Sequence, residues 1–115
     1  MDMPTRIKIG PQVFTVVERD GKGDATLHDG AYGYTLDGKN LIVLERSLPF
    51  TKKQVTLFHE IMHACRMTFE NPTKPKKSSE FEEWEHYFVG IFESSLLMVL
   101  RDNPELVAWL LQEDS

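Results

Sequence analysis

The hydrophobic period of this chain changes once, from two residues to about 3.6, and the change falls between Leu44 and Thr51. Ahead of it, apolar and polar positions alternate over Ile7, Ile9, Val13 and the run Phe14 to Val17. Gly10-Pro11 interrupts them, which predicts two short strands joined by a tight turn. Asp20-Gly21-Lys22-Gly23 then turns the chain. Residues 32 to 36 and 41 to 44 flank Asp37-Gly38, a pair suited to positions of positive φ, and predict a further hairpin.

Beyond the change the signals are helical. Thr51-x-x-Gln54 has the form of a capping box, with Phe50 and Val55 spaced as its hydrophobic staple, and an amphipathic helix should run to about Phe69, where Asn71-Pro72-Thr73-Lys74-Pro75 ends it. A second box, Ser79-x-x-Glu82, opens a long helix to about Asp102. Asn103-Pro104 starts a last short one through Val107 and Leu110. The expected fold class is therefore α+β: an N-terminal antiparallel β-sheet packed on two main helices, with a short C-terminal helix. No repeat or linker divides the chain, and its 115 residues suffice for one domain, 1–115, with a core that needs no covalent staples.

Hydrophobic residues make up 41% and charged residues 27%, values of a folded globular chain and not of a disordered one. A net charge of -5 offers no basic field for phosphates, so no nucleic-acid partner is expected. Cys65, the single cysteine, excludes an intrachain disulfide. The start Met1-Asp2-Met3-Pro4-Thr5-Arg6 lacks the apolar segment of a secretion signal, and the most apolar stretch, Leu96 to Leu100, is too short for a bilayer. A cytoplasmic protein without a membrane anchor is expected.

Inside the first predicted helix lies His59-Glu60-Ile61-Met62-His63, an H-E-x-x-H motif. Histidines four apart stand one above the other on a helix face, so both imidazoles reach one ion, with the glutamate beside them. Neutral imidazole suits Zn²⁺, and a site with three protein ligands leaves a position for water, whose pKa the ion lowers to about 7. Glu60 is placed to take a proton from that water and pass it to a leaving amine, which makes it the expected general base and acid.

A third ligand must come from elsewhere, and the acidic start of the later helix offers Glu80, Glu82, Glu83, Glu85, His86 and Glu93. The first three favour the positive end of that helix in any case. Phe81, Trp84, Phe88, Phe92, Leu96 and Val99 form one apolar face on the helical wheel; Glu85 falls within it and His86 near the opposite side. A carboxylate aimed at a core needs a partner, and an ion is one. Glu85 is accordingly the leading candidate ligand beside His59 and His63, with His86 and Glu82 as alternatives reached by a small roll of the helix.

Other residues have blander readings. Cys65 should be a buried small hydrophobe turned away from the motif face, and Trp84 and Trp109 should belong to the core. His28 reads as a solvated loop residue. Tyr32, Tyr34, His86 and Tyr87 are each able to donate to an oxyanion. Lys74, Lys76 and Lys77 form a polar connector.

Taken together, His59 to His63 on a helix, the preceding strand Leu41-Ile42-Val43-Leu44, and the later acidic helix Phe81-Glu82-Glu83-Trp84-Glu85-His86 running into Leu100-Arg101-Asp102-Asn103-Pro104 resemble the minimal zincin metallopeptidases. Within them the chain is similar to small phage and prophage proteins of the ImmA/IrrE type, over roughly residues 35 to 111. Such proteins commonly carry small residues one and two turns after the helix glutamate, where this chain has Val89 and Phe92. The resemblance implies a zinc-dependent endopeptidase in which the strand before the motif lines the cleft and a carboxylate from the later helix completes the site. The expected activity is hydrolysis of peptide bonds in an intracellular protein or peptide substrate, with residues 41 to 44 pairing with the extended substrate. The alternative is a non-catalytic phage or mobile-element binding protein with a structural zinc site.

Overall fold

A computed structural model describes residues 1–70 and 73–114. Four strands, β1 (Arg6–Ile9), β2 (Gln12–Arg19), β3 (Gly33–Leu36) and β4 (Leu41–Glu45), form one sheet in the order β1-β2-β4-β3. A one-turn helix, α1 (Ala25–His28), lies between β2 and β3. Two long helices, α2 (Phe50–Phe69) and α3 (Phe81–Asp102), follow, and α4 (Pro104–Leu110) closes the described chain. The α+β architecture is the one that the two hydrophobic periods require, with every long element present.

The sheet itself is mixed. β1 with β2 and β3 with β4 are antiparallel hairpins as expected, but β2 and β4 run parallel, Val16 opposite Ile42 and Val17 opposite Val43. Residues 20 to 32 carry the chain past the position of β4, so β3 takes the outer edge and β4 returns alongside β2. The strand proposed from sequence to pair with a substrate, 41 to 44, is thus interior and hydrogen-bonded on both sides, and the free edge near the motif belongs to β3.

Alternation explains the core. Ile7 and Ile9, Phe14 and Val16, and Ile42 and Leu44 share one sheet face, all at most 2% exposed, and pack on Leu57, Ile61, Ala64 and Cys65 of α2, Val99 of α3, and Leu106 and Trp109 of α4. Phe50 meets Trp109 edge to face, ring centroids 5.7 Å apart. At the β1–β2 turn Gly10 has φ +59°, and a Cβ there would lie 2.3 Å from the Phe69 ring, so both backbone and space require glycine. In the β3–β4 turn the left-handed residue is Asn40 (φ 48°), not Gly38, because the connection is a 3-10 turn over Asp37–Lys39 closed by Asn40, longer than a two-residue hairpin loop.

Neither capping box forms. α2 begins at Phe50, one residue before Thr51, with Pro49 as its cap; α3 begins at Phe81 with Glu80 as its cap, so Glu82 falls in the first turn, where the helix dipole favours it. Gln54 instead donates through Nε2 to the carbonyls of Trp109 (2.8 Å), Leu110 (3.3 Å) and Gln112 (2.7 Å), satisfying the orphan acceptors at the end of α4. The expected stop at Asn71-Pro72 lies outside the described residues. Asn103, between α3 and α4, accepts from the Lys8 amide at 2.8 Å and donates to the Lys8 carbonyl at 2.7 Å, occupying the outer edge of β1 as a strand would. Among the described residues no helix is long and apolar enough to cross a membrane.

Candidate metal centre

The motif spans the third and fourth turns of α2, with Glu60 on the side that faces β3. Of its residues, Ile61 is core, and His59 and His63 stand on the exposed flank with Nε2 atoms 3.0 Å apart and rings inclined at 77°. Two nitrogens on one tetrahedral zinc, with Zn–N about 2.0–2.1 Å, lie about 3.3 Å apart, so the two Nε2 atoms, in hydrogen-bond contact with each other, stand at close to chelating separation. With Glu60 they form a group whose ligand atoms all fall within 4.8 Å of one another and could hold a metal ion.

Glu60 is held differently from its neighbours. Its side chain is 6% exposed against 64% for His59, and the hydroxyl of Thr35 on β3 donates to its Oε1 at 2.8 Å. The same hydroxyl lies 3.2 Å from the Glu60 carbonyl. Oε2 is left facing His59 Nε2 at 4.0 Å. Burial of a carboxylate is tolerable because this bond replaces part of its hydration.

Close packing of β3 on α2 brings Thr35 there. Gly33, two residues earlier on the same strand face, faces Thr56, four residues earlier on the helix; a Cβ on Gly33 would sit 3.0 Å from Thr56 Cγ2 and 2.8 Å from the Val43 carbonyl. Two strand residues advance about 6.6 Å and four helical residues about 6 Å, so Gly33–Thr56 and Thr35–Glu60 fall into step. On the other side of β3 the main chain is open. Glu45 N bonds Tyr32 O at 2.9 Å, and antiparallel alternation then pairs Tyr34 with Val43 and Leu36 with Leu41, leaving the N–H and C=O of Gly33 and Thr35 directed outward.

Two clefts meet at His59. One, of about 270 Å³, is lined by Tyr32, Gly33, Lys52, Thr56, His59 and Glu60, with the Lys52 ammonium 4.8 Å above the Tyr32 ring. The other, of about 370 Å³, is lined by Met62, Arg66, Phe88 and Phe92 together with both histidines. A larger apolar groove, about 620 Å³, lies between α2, α3 and α4 and contains no motif residue.

Glu85 does not join the group. It is exposed, as are Glu82 and His86, and among the described residues only Glu60 accompanies the two histidines. The buried positions of α3 are Ile91, Ser95 and Val99, and residues 81 to 90 include none. Phe81, assigned to the apolar face from the wheel, is 76% exposed, and Trp84 stacks on Phe88 outside the core. Glu85 shares a helical stripe with Phe88 and Phe92, three and seven residues on, and it is these two rings that face the histidines.

Tyr34 is removed from the candidate oxyanion donors by parity: it points to the opposite sheet face from Thr35, where its hydroxyl donates to Asp24 and accepts from Arg19 at 3.2 Å. The Tyr34 hydroxyl holds the Asp24 carboxyl below the usual carboxylate range, helped by the Thr26 and Leu27 amides, and Asp24 in turn raises the Tyr34 phenol. Tyr32, by contrast, lines the cleft. Cys65 is fully buried, as expected, with its thiol pushed up by burial. Thr35 and Lys52 carry no sequence motif; strand parity sets Thr35 on the inner face, but only docking of α2 shows what it meets. No family model, curated protein or solved structure matches the chain.

Proposed function

We propose that the chain is a zinc metallopeptidase, and the observation that carries this is the pair of exposed imidazoles with facing Nε2 atoms beside a buried, anchored Glu60. His59 and His63 hold the ion; its third protein ligand, which the structure does not bring to the pair, is taken to be Glu85, one turn before Phe88 on the stripe that borders the histidines. When bound, zinc supplies a Lewis acid for a carbonyl and for a water that ionises near neutral pH. Glu60 accepts the proton of the attacking water at Oε2 and returns it to the amine nitrogen as the peptide bond breaks. An extended peptide pairs with the outward N–H and C=O groups of Gly33 and Thr35, which brings its backbone past the motif helix. Met62, Phe88 and Phe92 receive an apolar side chain. The substrate is a protein or peptide of the cell's interior.

The proposed ligand set is that of a catalytic and not a purely structural ion. Structural zinc is closed by four protein ligands, and two histidines with one later carboxylate leave a position free. In the full chain, Glu60→Gln keeps the shape of the side chain and removes the base. Zinc should remain near stoichiometric while peptide hydrolysis falls by about 10²-fold or more. Unchanged hydrolysis in that variant would remove Glu60 from the role of base, and wild-type protein that holds zinc and a tight protein partner but cleaves none would favour the binding protein instead.

A further inference from the structure

We infer, on the metallopeptidase reading above, that Thr35 is a positioning residue: its hydroxyl fixes the Glu60 carboxylate so that one oxygen is anchored and the other is turned toward the histidine pair.

The two oxygens of Glu60 have different surroundings. Oε1 accepts the Thr35 hydroxyl at 2.8 Å, and Oε2 faces His59 Nε2 at 4.0 Å without a comparable anchor. A glutamate turns about three single bonds, and a carboxylate with free rotation would spend much of its time misdirected; one short bond from a stiff neighbour selects one orientation. Thr35 is stiff on three counts. It is β-branched, which restricts χ1. It lies in a strand paired to β4, opposite Ile42. The contact of Gly33 with Thr56 sets the height of that strand on the helix, so the hydroxyl meets Glu60 in step with the turn below. Among the described residues no other side chain donates a hydrogen bond to the Glu60 carboxylate.

Thr35 also has a second connection. Its side chain points at Glu60 while its backbone N–H and C=O point to the open edge of the sheet, the direction derived from the β3–β4 register. A peptide paired at that edge and the base that serves it are therefore registered through one residue. A loss of the hydroxyl should disturb the base without disturbing the edge, which separates kcat from KM.

The test uses the zinc-loaded full chain with Thr35→Val, which removes the hydroxyl at nearly constant shape, and Thr35→Ser, which restores it. Thr35→Ala serves as a second deletion should valine fold poorly. Zinc affinity by chelator competition should be unchanged in all three. The valine variant should lose about 10-fold to 100-fold in kcat with KM within about twofold of the parent, and serine should recover most of the loss. Independently of activity, the carboxyl ¹³C resonance of Glu60, assigned with Glu60→Gln in protein labelled at glutamate Cδ, should move in the valine variant and return in the serine variant, with and without zinc. A Glu60 resonance that stays in place when the hydroxyl is removed overturns the inference, as does an equal loss of kcat in the serine and valine variants. Should the parent cleave no peptide, the functional reading falls, while the Glu60 resonance still decides whether Thr35 holds the carboxylate.

Discussion

Glu60 and Cys65 are both buried on α2 and are chemically opposite. The thiol of Cys65 sits among Ala64 and the core with burial pushing its pKa up, so it is an inert packing group. Glu60 keeps a polar partner and an oxygen turned to the exposed pair. At this scale the unsettled residue is Glu85. If it closes the zinc site, Glu85→Ala should weaken zinc binding by at least about 10²-fold, read by competition with a chromogenic chelator, while His86→Ala and Glu82→Ala bind as the parent does. Tight binding in Glu85→Ala with loss in His86→Ala would make this a three-histidine site and Glu85 a solvated carboxylate.

Each end of the sheet is treated differently by the elements around it. Asn103 closes the β1 edge with two bonds to Lys8 and donates to the Val99 carbonyl at 2.8 Å at the end of α3, while its main-chain carbonyl accepts from the Val107 amide at 3.2 Å at the start of α4. β3 has no such cover and lies against the motif helix. Replacing Asn103 by Ala removes three bonds at a helix end and a strand edge. It should cost about 1–3 kcal/mol in urea unfolding and speed exchange of the Lys8 amide. A Lys8 amide as protected as in the parent would mean that Asn103 does not close that edge.

On the scale of the whole molecule, a metal ion held as proposed would join two parts that the core leaves apart. The sheet face, the middle of α2 and the end of α3 share one apolar cluster, whereas residues 81 to 90 have no buried member. An ion held by His59, His63 and a residue of that segment adds the missing tie. Metal at about 100 times its Kd should stabilise by about 2.7 kcal/mol, raising Tm by roughly 10 °C for a domain of this size, and a chelator should reverse it. Exchange within residues 81 to 90 should slow on loading. An unchanged melting curve after metal analysis confirms removal would exclude any such support.

Local order was legible because it is one-dimensional. Periods of two and 3.6, the turns at Gly10-Pro11 and residues 37 to 40, and Pro104 at the start of α4 determined the elements and the α+β class. The four-residue spacing of His59 and His63 put two imidazoles on one helix face before any tertiary contact was known. What needed the third dimension was every relation between elements. The parallel pairing of β2 with β4 made residues 41 to 44 interior and gave the free edge to β3. Residues 81 to 90 of α3 have no buried member, so Glu85 is exposed although the wheel set it in an apolar stripe, because a stripe is buried only where another element covers it. Gln54 and Ser79 matched capping boxes, yet helix starts displaced by one or two residues released them, and Gln54 serves α4 instead. Thr35 was an ordinary strand threonine until Gly33 let α2 approach closely enough for its hydroxyl to reach Glu60. Sequence spacing thus determined which groups share a helix face, while docking between elements decided which of them meet.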